Sequence, residues 1–311
     1  LAWPDQDKAQ RALASLDLLV CVDIKMAATA KMADYILAPK ICLEREDVTM
    51  LTDIWYEKPY SQYSQTVVEA EGDKIEEWEL FWGLGKRMGL DMSLDNGPID
   101  MQNKPSKLDL LKIITKGSRV PIEEIAARDG GNVYDVEDVI LAPADPETQG
   151  KLDLYPSGLS QECAAAAADL VAADTSGENS DYAFLLISRR MKNTYNSTGP
   201  ELSLLKSKGT TNPAFIHPGD LEALGITDGD QIKVYSAHGE IPAIVAASDD
   251  IKPGVISMSH CWGGSPDPAA DSDAKVREIG SNTNRLIDNR AQAEKYSGMC
   301  RQSTIPVGIR R

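Results

Sequence analysis

The sequence has 311 residues, 42% of them hydrophobic and 26% charged, which is ordinary for a globular chain long enough for two domains. Its formal net charge of −16 would repel polyphosphate and anionic lipid, so the composition argues against nucleic acid or a membrane surface as a partner. The sequence contains no candidate signal peptide or membrane span, and we predict no membrane insertion by this chain.

The five cysteines lie far apart and form no CxxC pair, so neighbouring residues cannot assemble a zinc knuckle or an iron–sulfur cluster. An odd, unpatterned set indicates a reducing compartment, and we predict a cytoplasmic protein. The chain begins at Leu1 rather than Met. We therefore expect a fragment or a processed product, in which any export signal would lie in the missing N-terminus.

Helix and strand signals alternate in the N-terminal part. A charged, Ala-rich helical pattern runs from Asp5 to Leu16, and the apolar run from Leu16 to Asp23 is typical of a buried parallel strand. Thr29 to Asp34 predicts a short helix, and Tyr35 to Pro39 predicts the next strand, which the proline ends. This alternation predicts an α/β layer.

Further helices are predicted in chain order. From Glu76 to Gly89 the apolar positions have helical spacing, and we expect the helix to end at the glycine. We expect its aromatic face to pack on a core rather than to stack on a ligand. Leu108–Lys116 and Pro121–Arg128 predict two more helices. The composition of residues 129–180 indicates a linker with one short helix at about 160–173.

The C-terminal part has the character of a β-barrel. Gln231–Ser236 and Glu240–Ala247 alternate on either side of a tight turn at His238–Gly239, which predicts a hairpin. Val255–Ser259 and Thr304–Ile309 add further strands. Many short strands joined by glycine turns favour a closed barrel over an open sheet.

The most informative loop comes after the apolar run Phe184–Ser188. Residues Arg189–Ser197 hold three cations together with amide and hydroxyl groups. Guanidinium groups bind pyrophosphate through two hydrogen bonds, and Asn and Thr side chains match the donors and acceptors of a pterin or purine edge. A solvated surface loop has the same composition, so both interpretations stay open at this point.

A short helix is predicted within the barrel region. His217 to Ile226 begins with proline and closes with glycine, and its N-terminus either offers amide groups to an anion or only joins two strands. Asp228-Gly229 is expected to form a turn with a positive φ at the glycine. None of the three histidines lies at metal-ligand spacing from another ligand.

These segments and their order resemble the molybdopterin-dinucleotide-binding domain of the dimethyl sulfoxide reductase family. Within the segment Asn212 to Asp230, His217 to Asp230 matches the family pattern hP-x-D-A-x-x-L-G-I-x-D-G-D, except that Leu221 replaces the usual alanine. Ser281 to Leu286 is similar to the pattern G-x-N-x-N-x-L, and residues 16–39 and 76–89 are similar to the N-terminal patterns of the family. The resemblance covers most of the chain and is weakest over 91–180.

The resemblance implies a fold with two parts. These are part of an α/β Rossmann-like domain, and after it a six-stranded double-psi-type β-barrel like domain 4 of formate dehydrogenase and dimethyl sulfoxide reductase. The domain boundaries expected from it are 1–128 for the α/β domain, 129–180 for a linker and 181–311 for the molybdopterin-dinucleotide-binding barrel.

The resemblance also implies an oxidoreductase. In this family pterin dinucleotides hold molybdenum or tungsten, and the metal exchanges two electrons or an oxygen atom with the substrate. The implied cofactor is molybdopterin guanine dinucleotide, with molybdenum or tungsten and a [4Fe-4S] cluster in the complete enzyme. The family's cysteine-rich motif and metal ligand are missing here, so we expect no catalytic residue and no metal ligand in this chain. The implied partners are the missing N-terminal portion or a catalytic subunit, and an electron-transfer subunit.

By position in the family patterns, eleven residues are expected to line the cofactor. The cations are expected nearest the phosphates or pterin oxygens, and two asparagines are expected to face the pterin from a second loop. Trp262 fits the barrel core equally well, and Arg301 with Gln302 stands where many members have a lysine. The residues are Arg189, Arg190, Lys192, Asn193, Asn196, His260, Trp262, Asn282, Asn284, Arg301 and Gln302.

Two other functions remain as alternatives. A pterin-free structural homologue, such as the iron–sulfur subunit of respiratory complex I, would keep this fold without the metal. The clustered cations and amides argue against it, because a scaffold needs no such cluster. A stand-alone pterin-dinucleotide carrier is the second alternative, and upstream cysteine-rich sequence in the same gene would eliminate it.

Overall fold

The computed structural model describes residues 2–49, 56–136, 145, 147, 153–175, 181–192, 194–200, 202–206, 211–264, 269–290, 293 and 297–311. They form two compact units, one of residues Leu18–Lys151 and one that joins Leu1–Asp17 to Leu152–Arg311. These units divide the chain differently from the boundaries 1–128, 129–180 and 181–311, which stay a prediction. The N-terminal segment before residue 18 belongs to the same unit as the C-terminal strands.

The helices and strands are numbered in chain order. The helices are α1 (Gln6–Ala14), α2 (Glu77–Met88), α3 (Lys107–Ile114), α4 (Ile122–Ala126), α5 (Leu159–Thr175), α6 (Ser203–Lys206), α7 (Pro218–Leu224) and α8 (Asp273–Ile279). The strands are β1 (Val20–Val22), β2 (Tyr35–Leu37), β3 (Asp47–Val48), β4 (Tyr60–Ser64), β5 (Ser93–Leu94), β6 (Gly97–Pro98), β7 (Gly131–Val133), β8 (Phe184–Arg189), β9 (Ala214–Ile216), β10 (Gln231–Tyr235), β11 (Glu240–Ala247), β12 (Val255–Ser259) and β13 (Ile305–Arg310). No helix in the described ranges is both long and apolar enough to cross a bilayer.

The unit of residues 18–151 contains the predicted parallel strand pair. β1 and β2 pair in parallel, and a 3₁₀ turn at Ala30–Met32 replaces the predicted helix between them. The expectation that the whole apolar run of the first strand is buried is wrong, because Leu16, Leu18 and Val20 are 52%, 58% and 42% exposed. Only Cys21 at the centre of β1 is buried, and Tyr35 and Ile36 of β2 are 64% and 41% exposed. Parallel strands are normally covered on both faces, and this two-stranded sheet leaves Val20, Tyr35 and Ile36 exposed.

Helix α2 begins and ends where the sequence predicts, but its aromatic face is not buried as predicted. Glu76 and Glu79 form a capping box at its start, and Gly89 ends it with a φ of 69°. The prediction that its aromatic face packs on a core is wrong, since Phe81 is 59% exposed and only Gly85 of the helix is buried. The aromatic face is therefore a surface of this unit.

A small core lies elsewhere in the same unit. Strands β3, β4 and β7 form an antiparallel sheet, and α4 contacts β4. The core residues come mainly from α3, α4 and the segments beside them. They are Leu111, Val120, Ile122, Ile125 and Tyr134.

The second unit is built on the six-stranded barrel that the sequence predicts. The strands close in the order β10-β11-β9-β12-β8-β13, with parallel pairing only between β8 and β12 and between β9 and β11 among the barrel strands. Inward-facing side chains fill the interior, and Ile216, Val234, Ile241, Ile256 and Val307 have no measurable exposure. The predicted β10–β11 hairpin and the closed barrel are both confirmed.

The N-terminal segment packs on this barrel unit. The backbone N–H of Asp5 donates to the carbonyls of Asn284 and Ile287, each at 3.0 Å. The Asp5 carboxylate lies 3.1 Å from Nε2 of His238 in the β10–β11 turn. The predicted helix over Asp5 to Leu16 exists as α1, and these contacts hold its start against the barrel unit.

Helix α7 and the turn after it have the predicted geometry. Proline begins the helix, Nδ1 of His217 accepts a hydrogen bond from the Gly219 N–H at 3.0 Å, and Gly225 ends it with a φ of 64°. In the turn after the helix Gly229 has a φ of 84°, as predicted. Oδ1 of Asp228 accepts the Ala247 N–H at 2.8 Å and fixes this turn to β11.

Replacing Gly229 with Val is expected to lower the free energy of unfolding by about 2 kcal/mol, because a β-branched residue is strained at a positive φ. No atom lies within 4 Å of the position a Cβ would take, so the cost comes from the backbone and not from a clash. Denaturant unfolding measures it. Gly229→Asn is the matched control and should cost less than half as much, because Asn tolerates this conformation. A Val variant as stable as its parent contradicts the turn.

Candidate functional site

Strand pairing brings three loops to one end of the barrel. β8 and β12 run in parallel with Arg189 opposite Ser259, so both strands end at the same side. β13 runs antiparallel to β8 with Ile305 opposite Leu186, so this strand begins at that side. We call this end, with the loops 190–196, 260–263 and 301–304, the barrel edge.

The cations of the first loop are spread over the barrel edge. The Arg189 guanidinium lies over the Phe215 ring, 4.1 Å from its centroid, which orients it by a cation–π contact. Arg190 is exposed and donates from Nη1 to Oδ1 of Asn196. Lys192 is also exposed. Asn193, which the sequence also predicts in this site, lies outside the described residues.

His260 connects the first and second loops. Its Nδ1 lies 3.3 Å from Oγ of Ser188 on β8, and its Nε2 lies 3.4 Å from Oδ1 of Asn196. Burial, and secondarily the positive charge of Arg190, lowers the pKa of His260 below its ordinary value. The imidazole is therefore neutral at physiological pH, with one ring nitrogen as a hydrogen-bond donor and the other as an acceptor.

The pKa of His260 gives a pH-dependent prediction. Because the folded protein disfavours the imidazolium, stability is lost as the pH falls from about 6.5, the ordinary histidine pKa, through the lower folded-state pKa. Arg190→Ala should raise the pKa of His260 only part of the way back, since burial is the larger cause. An NMR titration of the imidazole Cε1 proton measures this shift. Arg190→Lys keeps the charge and is the control, and an equal rise in both variants would rule out the charge of Arg190 as a cause.

Trp262 is buried, with 3% of its surface exposed, yet it is not part of the barrel's hydrophobic core cluster. Its Nε1–H has no hydrogen-bond partner in the part of the chain that the structure describes. A buried indole N–H normally has an acceptor. The structure therefore separates Trp262 from the barrel core and leaves a donor that a bound group could use.

Asn282 and Asn284 form the start of a 3₁₀ turn, Thr283–Leu286, next to the second loop. They are 3% and 5% exposed, and Oδ1 of Asn282 accepts the Asn284 N–H at 3.0 Å. A Cβ on Gly263 would lie 2.7 Å from the Asn282 backbone nitrogen. The 260–263 loop and the asparagine turn are thus in close contact, as a shared site requires.

The third loop contains Arg301 and Gln302. Arg301 donates from Nε and Nη2 to Oγ1 of Thr304, at 3.1 and 2.9 Å. Oγ of Ser303 accepts the Ser188 N–H at 3.4 Å, which joins this loop to β8. Gln302 is exposed. Both predicted residues therefore lie at the barrel edge, with Arg301 already bonded inside its own loop.

Backbone strain is concentrated at the barrel edge. Among the described residues four non-glycine residues have a positive φ, and three of them, Asn196, Cys261 and Thr304, lie in its three loops. Such conformations are costly for residues with a Cβ, most of all for a β-branched threonine. Strained residues of this kind cluster at binding sites, which agrees with the loop chemistry.

The structure adds one residue that the site prediction does not contain. Asn212 is 2% exposed and bonds to the backbone at Ser259 and at Ser281, on either side of the site. In the sequence it is only an Asn before a proline, five residues before the matched pattern begins at His217. No group of three or more potential metal-ligating side chains occurs within the described ranges, so the expectation of no metal ligand in this chain stays a prediction.

Among the described residues, the structure shows a closed barrel that has cations, amides and a buried indole N–H without a hydrogen-bond partner at one edge. Comparison with protein families identifies the kind of domain. Residues 184–306 match the molydopterin dinucleotide binding domain, and residues 1–87 match the molybdopterin oxidoreductase domain. The chain belongs to the molybdopterin oxidoreductase family that includes the dimethyl sulfoxide reductases.

Three similar proteins illustrate this membership. A probable oxidoreductase, YoaE, of Bacillus subtilis is 24% identical over 95% of this chain and 41% of its own length. The dimethyl sulfoxide/trimethylamine N-oxide reductase of Cereibacter sphaeroides is 23% identical over 94% of this chain and 40% of its own. The F420-dependent formate dehydrogenase subunit alpha of Methanocaldococcus jannaschii is 26% identical over 82% and 36%. The chain spans about two fifths of the curated relatives it matches.

A solved structure has the same fold. Acetylene hydratase from Pelobacter acetylenicus superposes with a TM-score of 0.71 and 21% identity, covering 99% of this chain and 42% of the hydratase. The predicted combination of α/β elements with a six-stranded barrel is confirmed.

Proposed function

We propose that this chain binds molybdopterin guanine dinucleotide as part of a molybdenum or tungsten oxidoreductase. The observation that carries the proposal is the convergence of three loops at the barrel edge. Strand pairing brings the cations of 189–192 to the same side as His260 and the 301–304 loop. Each loop then offers a different kind of group to one extended ligand.

The residues present fit such a group. A pyrophosphate needs positive donors, and Arg190 and Lys192 are exposed at the end of β8 in a chain that is otherwise strongly acidic. A pterin needs neutral donors and acceptors along its edge, which the asparagine turn and neutral His260 provide. The buried Nε1–H of Trp262 is a donor without a partner among the described residues.

When bound, such a cofactor would supply a metal that exchanges two electrons or an oxygen atom with the substrate. The roles of this chain are to bind and to orient. Cations at the barrel edge neutralise phosphate charge, and the buried asparagine turn gives a rigid surface next to the strained 260–263 loop. His260, held neutral by burial and by Arg190, adds no charge to this surface.

We further propose that more polypeptide completes the unit of residues 18–151. Val20, Tyr35 and Ile36 leave the β1–β2 sheet apolar and open, and such a sheet is stable when covered. This polypeptide would be an N-terminal portion or a catalytic subunit that carries the metal ligand and a [4Fe-4S] cluster. The name of one relative, a formate dehydrogenase subunit alpha, supports an enzyme of several subunits. An electron-transfer subunit is the further partner that we propose. All five cysteines are free, which supports a reducing compartment such as the cytoplasm.

The test is chemical analysis of the complete gene product, purified from cells that make pterin cofactors. Oxidised extracts are assayed for fluorescent pterin and guanine nucleotide, and molybdenum and tungsten are quantified in the same sample. Pterin, guanine nucleotide and stoichiometric metal together are the expected result. Absence of all three would overturn the proposal and favour a pterin-free structural homologue, while pterin without metal would favour a carrier.

A further inference from the structure

Asn212 joins two of the segments that form the candidate site. Its Nδ2 donates to the carbonyls of Ser259 and Ser281 at 2.7 and 2.8 Å, and its Oδ1 accepts the Ser281 N–H at 2.9 Å. One side-chain amide thus uses both N–H donors and an acceptor on backbone from two distant segments. At 2% exposure these bonds are shielded from water, so their loss could not be compensated by solvent.

Strand pairing explains why this side chain is needed. β9 and β12 are antiparallel, with Phe215 opposite Ser257, and continuing this register places Pro213 opposite Ser259. Proline has no N–H and cannot donate to the Ser259 carbonyl. The Asn212 amide donates to that carbonyl instead and extends the ladder by one bond to the last residue of β12.

The second segment is shaped to receive the same amide. Gly280 has a φ of 75°, and a Cβ at this position would lie 2.2 Å from Oδ1 of Asn212. The glycine therefore permits the approach that lets Asn212 bind both polar groups of Ser281. The Gly263 N–H donates to the Ile279 carbonyl at 2.9 Å and forms a second link between the two segments.

Both serines bonded by Asn212 stand immediately before predicted site residues. His260, Cys261 and Trp262 come directly after Ser259, and the asparagine turn begins directly after Ser281. Asn212 belongs to neither set, and the barrel's hydrophobic core does not include it. Its bonds set the spacing between the two sets rather than the closure of the barrel, which rests on the strand ladders.

We propose that Asn212 is a positioning residue of the pterin-dinucleotide site, which holds the 260–263 loop and the 281–284 turn at the separation that the ligand requires. This inference rests on the proposed function. Asn212→Ala leaves the Ser259 carbonyl and the Ser281 peptide groups unpaired. Asn212→Asp keeps the volume and turns the two donors into a carboxylate that faces two carbonyls.

The matched control is Asp220→Ala at the other end of β12. Asp220 accepts the N–H of Gly254, which directly precedes β12, at 2.8 Å. This variant also removes a side-chain bond to the backbone beside the same strand, but far along the strand from Ser259. A general loss of barrel stability would lower the pterin content of Asp220→Ala as well as that of the Asn212 variants.

The experiment uses the complete cofactor-loaded protein and measures pterin and guanine nucleotide per polypeptide, the visible absorption spectrum and the thermal midpoint. Both Asn212 variants are expected to bind about tenfold less pterin per polypeptide than the parent, and the molecules that still hold cofactor are expected to have an altered absorption spectrum. Asp220→Ala is expected to keep the pterin content and the spectrum of the parent. Unchanged pterin and spectrum in Asn212→Asp would overturn the inference and leave the proposed function intact. Equal pterin loss in Asp220→Ala would also overturn the inference, because it would show that reduced barrel stability alone releases the cofactor. Wild-type protein without pterin would refute the proposed function itself.

Discussion

The double variant Arg190→Ala with Lys192→Ala is expected to bind the pterin dinucleotide about 100-fold more weakly than the parent. Both side chains are exposed at the end of β8, and each would lose a charge-assisted contact to phosphate. Stability should change little, because Arg190 is exposed and its hydrogen bond is to the exposed Asn196. The measurement is the pterin retained per polypeptide after extended gel filtration, with the thermal midpoint recorded on the same samples.

The control separates local contacts from total charge. Lys233 and Lys275 are exposed lysines of the same unit, paired with Glu240 and Glu278. Replacing both with Ala removes two positive charges from a chain of net charge −16, as the test variant does. Cofactor retention equal to that of the parent is expected for this control. If both double variants lose pterin equally, the effect is long-range charge and Arg190 and Lys192 make no phosphate contact.

The barrel was predictable because its signals are local. Alternation in 231–236 and 240–247 defines the hairpin, and the glycines at 225 and 229 sit where the chain needs a positive φ. These turns and the inward-facing residues then set the register between strands. For the same reason the end of α2 at Gly89 could be predicted from sequence, since a capping box and a glycine act within one helical turn.

Burial in the 18–151 unit was not predictable in the same way. An apolar strand such as β1 shows that a surface will be covered, but it does not name the element that covers it. Val20 and Phe81 have the hydrophobic patterns of buried residues, yet 42% and 59% of their surfaces are exposed in the described part of the chain. Hydrophobic periodicity predicts a helix or a strand, but the burial of its apolar face depends on which other parts of the protein pack against it.

The candidate site shows the same difference between residues that the sequence alone could identify and residues that only the fold brings together. Residues in these loops could be named because their positions match the family patterns, and in the structure Asn196 contacts both Arg190 and His260. Asn212 could not be found this way. Its partners lie 47 and 69 residues further along the chain, and only the fold brings them within hydrogen-bond distance.

Replacing Gly263 with Ala is expected to lower the free energy of unfolding by about 3 kcal/mol and to remove bound pterin. A Cβ at this position would lie 2.7 Å from the Asn282 nitrogen and 2.9 Å from the Ser281 carbonyl carbon. These are backbone atoms, which cannot rotate away as a side chain can, and Gly263 also has a φ of 82°. The variant must therefore push apart the 260–263 loop and the asparagine turn. Thermal unfolding and pterin content of the loaded protein measure the two effects.

Gly254→Ala isolates the cost of the backbone conformation. Gly254 lies just before β12, has a φ of 76° and has no atom within 4 Å of the position of a Cβ. Its replacement should cost only the strain of a positive φ, about 1 kcal/mol, and should leave pterin content unchanged. The difference between the two glycine variants is then the cost of separating the loops. If Gly263→Ala is no less stable than Gly254→Ala and retains pterin, the close contact between the loops does not form the binding surface.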